Sequence, residues 1–185
     1  MTAPWNVKLP TTLTVGGKER TIRSDYRAAL DVLLALTDAE LDNYNRAMEL
    51  LDILYVDEIA PEDWQEAIDQ GLWYLNGGEE ERNHKSPKLV DWSQDFNMIA
   101  APISKVVGED IRGKDYFHWW SFLSAYTEIG DCLFAHVVAI RDKRARGKQL
   151  DKQEREFYRR NREIIDIKTK LTDNEEAILS EWLGK

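Results

Sequence analysis

Only one cysteine, Cys132, occurs in the 185 residues, which excludes an internal disulfide and a cysteine-based zinc cluster. Histidine is nearly as scarce. His84, His118 and His136 are the only three, and no two stand three or four residues apart, so an ordinary helical zinc motif has no ligands to draw on. No Gly-rich phosphate loop, nucleophile elbow or metalloprotease helix is present. No apolar run approaches the ~20 residues of a membrane span; the stretch from Cys132 to Ile140 is short and interrupted by His136. The opening MTAPWNVKLP lacks the basic start and apolar middle of a secretory signal. These absences lead to the expectation of a non-enzyme without metal or cofactor, away from membranes, in a reducing compartment, the cytoplasm.

What is present is a core and a charged surface. Hydrophobic residues make up 43%, with 7 Trp, 7 Tyr and 5 Phe, while charged residues reach 32% and the net charge is −9. The charge is uneven. Residues 1–80 hold 16 acids against 6 bases, whereas residues 141–170 hold 12 bases against 6 acids. An acidic front and a basic back either complement each other within one fold, the preferred reading, or each face a partner.

The pattern predicts a mainly α protein, a helical bundle with a small N-terminal β-hairpin. Leu13 and Val15 alternate with threonines, Gly16-Gly17 supplies a tight turn, and Lys18 to Ile22 returns. A lone hairpin is marginal in water, so its apolar face is expected to rest on helices. Ser24 is the expected N-cap of a first helix running to Leu36. Thr37-Asp38-Ala39-Glu40 reads as a capping box for a second, with Leu41, Tyr44, Met48, Leu51 and Tyr55 on one stripe. Pro61 suits a first helical position, and Trp64, Ile68, Leu72 and Leu75 give the third helix its face. Residues 76–88 form a long loop, read as a surface loop in preference to a hinge. Trp92 to Val106 predicts a helix with Pro102 breaking or kinking it near Met98. Further helices are expected over Tyr116–Ile129, Asp131–Arg141 and Asp151–Lys170. Thr172-Asp173-Asn174-Glu175 would open a last one to Leu183. The expected organisation is a single helical domain over 1–171 and a short helical extension over 172–185.

Three features bear on function. Tyr116, Phe117, Trp119, Trp120, Phe122 and Tyr126 wrap far around one helix, which favours core packing over a binding groove, and His118 among them reads as a packed structural histidine. Arg141, Lys143, Arg144, Arg146 and Lys148 crowd a turn at Gly147, and Lys152, Arg155, Arg159 and Arg162 continue down one helix face. Acids interleave with these bases, so a solvated, self-paired helix is preferred to a nucleic-acid contact. Finally, Leu150, Phe157, Ile164 and Leu171 recur every seven residues with few apolar companions, a seam narrower than a core-facing helix uses. Such a helix leans on its domain along one line or meets a partner. Phe157, Ile164, Arg155, Arg159 and Arg162 are therefore the candidate protein-binding residues.

Taken together, four stretches resemble the "gene product fifteen" proteins of phages and prophages of Gram-positive bacteria. They are LPTTLTVGGKERTIRSDYR (Leu9 to Arg27), DWSQDFNMIAAPI (Asp91 to Ile103) with its Asp-x-x-x-Asp spacing, YFHWWSF (Tyr116 to Phe122), and REFYRRNR (Arg155 to Arg162). Pro102 and the residues beyond Lys170 depart from the pattern. Proteins of this family are typically encoded beside the major tail and tape-measure proteins. The resemblance thus implies a tail assembly chaperone that binds the phage tape-measure protein, or another tail protein, in the host cytoplasm before tail polymerisation. A tail completion or connector protein retained in the virion is the alternative, and a nucleic-acid-binding regulator using the basic helix 141–162 a second. Self-association into a homo-oligomer is compatible with the narrow seam. The family supplies no catalytic residues to carry over.

Overall fold

The computed structural model describes residues 8–79 and 87–168. Strands β1 (Thr12–Val15) and β2 (Lys18–Thr21) pair antiparallel with Val15 opposite Lys18. Only Gly16 and Gly17 are left to turn the chain, and both take positive φ, the demand of a two-residue hairpin loop. Leu13 and Val15 are buried, and Gly16 donates its N–H to Glu66 Oε2 on α3 (Trp64–Leu75). The expected hairpin therefore sits on helices, as its size requires.

The helices follow in order: α1 (Tyr26–Thr37), α2 (Asn43–Leu54), α3, α4 (Trp92–Val107), α5 (Trp119–Thr127), α6 (Leu133–Ala145), α7 (Lys152–Arg160) and α8 (Arg162–Ile165). Pro61 opens a short 3-10 turn before α3, the position expected of it. The mainly α class with an N-terminal hairpin is thus what the chain adopts. Several boundaries differ from the sequence reading, each for a local reason. Asp25, not Ser24, caps α1, because its carboxylate reaches the Arg27 N–H while the Ser24 hydroxyl is engaged with Tyr116. Thr37 forms no capping box. It is the last residue of α1, its hydroxyl turned back to Leu33 O, and Asp42 caps α2 instead. Helix α5 starts at Trp119 because Tyr116 and Phe117 lie in an extended stretch bound to the start of α1.

The faces of α2 and α3 are also rotated from expectation. Tyr44 is 60% exposed and Leu72 36%, while Leu50, Leu54, Ala67 and Gly71 face inward. Small residues decide this. A Cβ on Gly71 would lie 2.9 Å from Leu50 Cδ2, so α2 and α3 approach over Ala67 and Gly71, and bulkier Leu72 turns outward. Pro102 does not break α4, which runs unbroken from Trp92 to Val107 and ends on Gly108 at φ +85°. The proline lacks the N–H that would bond Met98 O, but the helix packing of Ile99 and Ile103 outweighs one lost bond.

One hydrophobic core draws Val15, Tyr26, Leu54, Tyr74, Ile99, Trp119, Phe122 and Phe134 from β1 and α1 through α6, on both sides of the 76–88 stretch. A smaller cluster of Val137, Ile140 and Ile165 joins α6 to α8, with Leu150, Phe157 and Ile164 half-buried around it. The predicted capping box at Thr172, the last helix to Leu183, the 172–185 extension, Leu171 and His84 lie outside the described residues.

Candidate functional site

Two constellations hold the polar and aromatic side chains that the sequence singles out. The first is the His118-Trp119-Trp120 run. Ser24 O accepts from Trp119 N, Tyr26 N donates to Phe117 O, and Asp25 Oδ2 accepts from Phe117 N, so this run is stitched to the start of α1. His118 is buried, and both ring nitrogens are engaged. Nδ1 accepts from Trp120 N at 3.0 Å and so caps α5, while Nε2 faces Pro10 O at 2.9 Å. A carbonyl only accepts and an amide N–H only donates, so the ring is the neutral tautomer with its proton on Nε2. Trp119 Nε1 donates to Leu75 O and Trp120 Nε1 to Tyr74 O. These are carbonyls at the C-terminal end of α3, of which Tyr74 O also accepts from Gly77 N. The three side chains thus cap two helices at once. Core packing is the right reading of Trp119 and Phe122, both fully buried; Trp120 is half-exposed.

The second constellation centres on Arg141, which the sequence places in the basic region but the fold buries. Its guanidinium forms a bidentate pair with Asp95, at 2.6 and 2.9 Å, with the two side chains 5% and 0% exposed. Its remaining donors go to Leu89 O, Ile164 O and Ile165 O. Arginine carries five N–H donors, and all five are satisfied. Asp95 Oδ2 also accepts from Asp91 N, and Asp91 caps α4 through Gln94 N. The two aspartates of the Asp-x-x-x-Asp spacing therefore act in sequence: one caps the helix and the other holds the arginine. Burial favours a neutral Asp91, but hydrogen bonds from Gln94 N and Lys88 Nζ outweigh it and hold the carboxyl below the usual range. Asp166 behaves likewise, with burial opposed and overcome by donors from Arg144, Arg162 and Tyr158.

The predicted helix over Asp151–Lys170 is interrupted. Asn161 ends α7, its side-chain amide bonded to Phe157 O. After α8 the chain turns extended at Asp166, and Arg141 donates to Ile164 O and Ile165 O at this helix end. Of the candidate binding residues, Phe157 and Ile164 come together against the Val137–Ile140–Ile165 cluster, both half-buried, and the Phe157 ring meets His136 edge-on at 4.5 Å. Arg155 and Arg159 are exposed on α7. Arg162 lies on α8, out of line with them, and pairs with Asp166 at 3.1 Å. Glu154 and Asp151 form a full capping box at the start of α7, where Glu154 also takes Lys143.

Asp95 and Arg141 are the residues that sequence reasoning missed. A signal was available: Arg141 follows Phe134 and Val137 at spacings of three and four, and Asp95 falls between Trp92 and Ile99 in the same way. A charge on an apolar stripe is buried and therefore paired. Among the described residues no group of three His, Cys, Asp or Glu side chains converges to hold a metal ion, and no helix is long and apolar enough to cross a membrane.

No curated protein and no solved structure matches the chain. The model of one family, the bacteriophage Gp15 protein, matches residues 6–167. That span takes in the hairpin, the Asp91–Asp95 pair, the His-Trp-Trp run and Arg141, and the chain belongs to the bacteriophage Gp15 family.

Proposed function

We propose that this phage protein works by binding another protein during tail assembly, as a chaperone for the tape-measure protein in the host cytoplasm, and that it catalyses no reaction. The observation that carries the reading is the surface of α7. Arg155 and Arg159 stand exposed on one face of α7, while Phe157, turned to the opposite side two residues from each, and Ile164 of α8 are only half-covered by the fold. A helical client with an acidic flank fits such a surface, since an amphipathic helix docks its apolar face while charges guide its approach. His118, buried among the aromatics, has both nitrogens committed to backbone groups, which supports a structural role for it.

Co-expression with a tape-measure protein from the same phage tests the proposal. Wild-type protein should keep the tape-measure protein in the soluble fraction and co-purify with it. An Arg155→Glu, Arg159→Glu variant should remain folded and lose most of that protection. A wild-type protein that leaves the tape-measure protein insoluble overturns the chaperone assignment. Its recovery in stoichiometric amount from purified particles would favour a completion or connector role.

A further inference from the structure

Helices α7 and α8 stand apart from the main hydrophobic core. That core is built from β1, α1 through α6 and their connecting segments, and takes no residue from Lys152–Ile165. No residue of α7 is fully buried, and on α8 only Ile165 is. Ile165 meets Val137 and Ile140 of α6, with Leu150, Phe157 and Ile164 half-buried beside them. Residues 146–151 join this arm to α6 and turn at Gly147, φ +67°.

Polar contacts set the position of the arm. Arg141 donates to Ile164 O and Ile165 O, Gln94 Nε2 donates to Asp166 O, and Lys143 pairs with Glu154. Water replaces each of these contacts once the arm lifts, because both partners are then exposed, so each adds little net hold. Asp95 stays paired with Arg141, since neither belongs to the arm. The capping box of Asp151 and Glu154 lies wholly within the arm and travels with α7. What resists release is the apolar contact of Ile165 and its half-buried neighbours. A segment held by few buried apolar groups opens before the core does.

We propose that residues 150–165 form a releasable strap. Closed, it lays Leu150, Phe157 and Ile164 around the small cluster on α6. Open, it presents those three side chains, and the Val137–Ile140 face beneath them, to the apolar stripe of a helical partner. The strap displays the chemistry of that partner, because its own apolar residues recur every seven positions and it occupies the face the partner would take. Gating of the partner rests on the client reading of α7; the opening itself does not.

Thiol labelling of the full-length chain tests the opening, in a Cys132→Ser background that keeps an acceptor at the α6 cap. Val137 and Ile99 are both 0% exposed, the first under the strap and the second in the main core. Val137→Cys should be labelled at least tenfold faster than Ile99→Cys. Adding Ile165→Ala should speed labelling at Val137→Cys at least tenfold further and leave Ile99→Cys unchanged. Should either cysteine variant fail to fold, Ile140→Cys or Ile103→Cys takes its place. Equal rates at the two sites, or an Ile165→Ala effect shared by both, overturn the strap. Association of the tape-measure protein with the Ile165→Ala chain should quicken at least threefold over wild type. Faster labelling with unchanged association overturns the gating. A tape-measure protein that binds neither chain sinks the chaperone reading, and the labelling rates still decide the strap.

Discussion

Arg141 on α6 and Asp95 on α4 form a buried bidentate ion pair that ties α4 to α6 and, through Ile164 O and Ile165 O, to α8. Desolvating two charges costs several kcal/mol per ion, which their mutual attraction offsets only when hydrogen bonding is complete. Here it is complete for the arginine. Removing either partner alone strands the other. Arg141→Met and Asp95→Leu are each expected to destabilise the protein by about 3–5 kcal/mol in urea denaturation. The double variant should recover only part of this loss, because Leu89 O, Ile164 O and Ile165 O would still lack their donor. Full recovery would mean that the pair, and not the carbonyl clamp, is what matters.

The His-Trp-Trp run makes a graded prediction. Trp119 is fully buried and donates to Leu75 O, so Trp119→Ala should cost about 3–5 kcal/mol, as large core truncations do. Trp120 is half-exposed and should cost less, although its indole also donates to a carbonyl of α3. His118→Gln retains an acceptor and a donor on one side chain and should be milder than His118→Ala. Melting temperatures of the four variants check the order. A Trp120→Ala variant less stable than Trp119→Ala would contradict it.

How much of this was legible follows from what each element depends on. The hairpin, the 3-10 turn opening at Pro61 before α3 and the stop at Gly108 are fixed by local backbone demands, and local demands are written in the sequence. The end of α8 is not. That end is tied to Arg141, 23 to 24 residues away from the carbonyls to which it donates, whereas at the earlier break Asn161 turns its own side-chain amide back on Phe157 O, four residues before it. The seven-residue spacing of Leu150, Phe157 and Ile164 is legible in the sequence, and the structure half-buries all three around the Val137–Ile140–Ile165 cluster of α6 and α8. The rotation that exposes Tyr44 and Leu72 was hidden because hydrophobicity ranks leucine and tyrosine above glycine and alanine. Close helix approach selects the reverse.

Acid sensitivity should trace to the same region as the clamp. Asp91 and Asp166 are both held below the ordinary carboxylate value of about 3.9. A carboxyl with a lowered folded-state value contributes stability that is present above its unfolded value and is lost as pH falls through the folded one. Stability should therefore decline below about pH 4, and Asp91→Asn, which keeps a capping oxygen, should make that decline shallower. Asp91→Ala should cost about 1 kcal/mol at pH 7 through loss of the cap. Urea midpoints measured from pH 2 to 7 decide the matter; an unchanged acid limb in Asp91→Asn would remove Asp91 from the account.

The last prediction concerns how α7 would meet its client. Arg155 and Arg159 are exposed and lie well away from the buried clamp, so their replacement should leave the melting temperature within about 0.5 kcal/mol equivalent of wild type. Exposed rim charges act on the rate of encounter more than on the lifetime of a complex. For the Arg155→Glu, Arg159→Glu variant, association with the tape-measure protein should slow at least tenfold at low salt while dissociation changes little. The difference between variant and wild type should shrink as ionic strength rises toward 1 M, where screening acts within about 3 Å. Phe157→Ala should behave in the opposite way. Its ring stacks edge-on against His136 and half-fills the small cluster, so its loss should lower both stability and complex lifetime. Surface-coupled binding kinetics at three salt concentrations separate the two effects. If the double arginine variant associates at the wild-type rate at low salt, the basic face of α7 does not steer the client, and the contact surface lies elsewhere on the molecule.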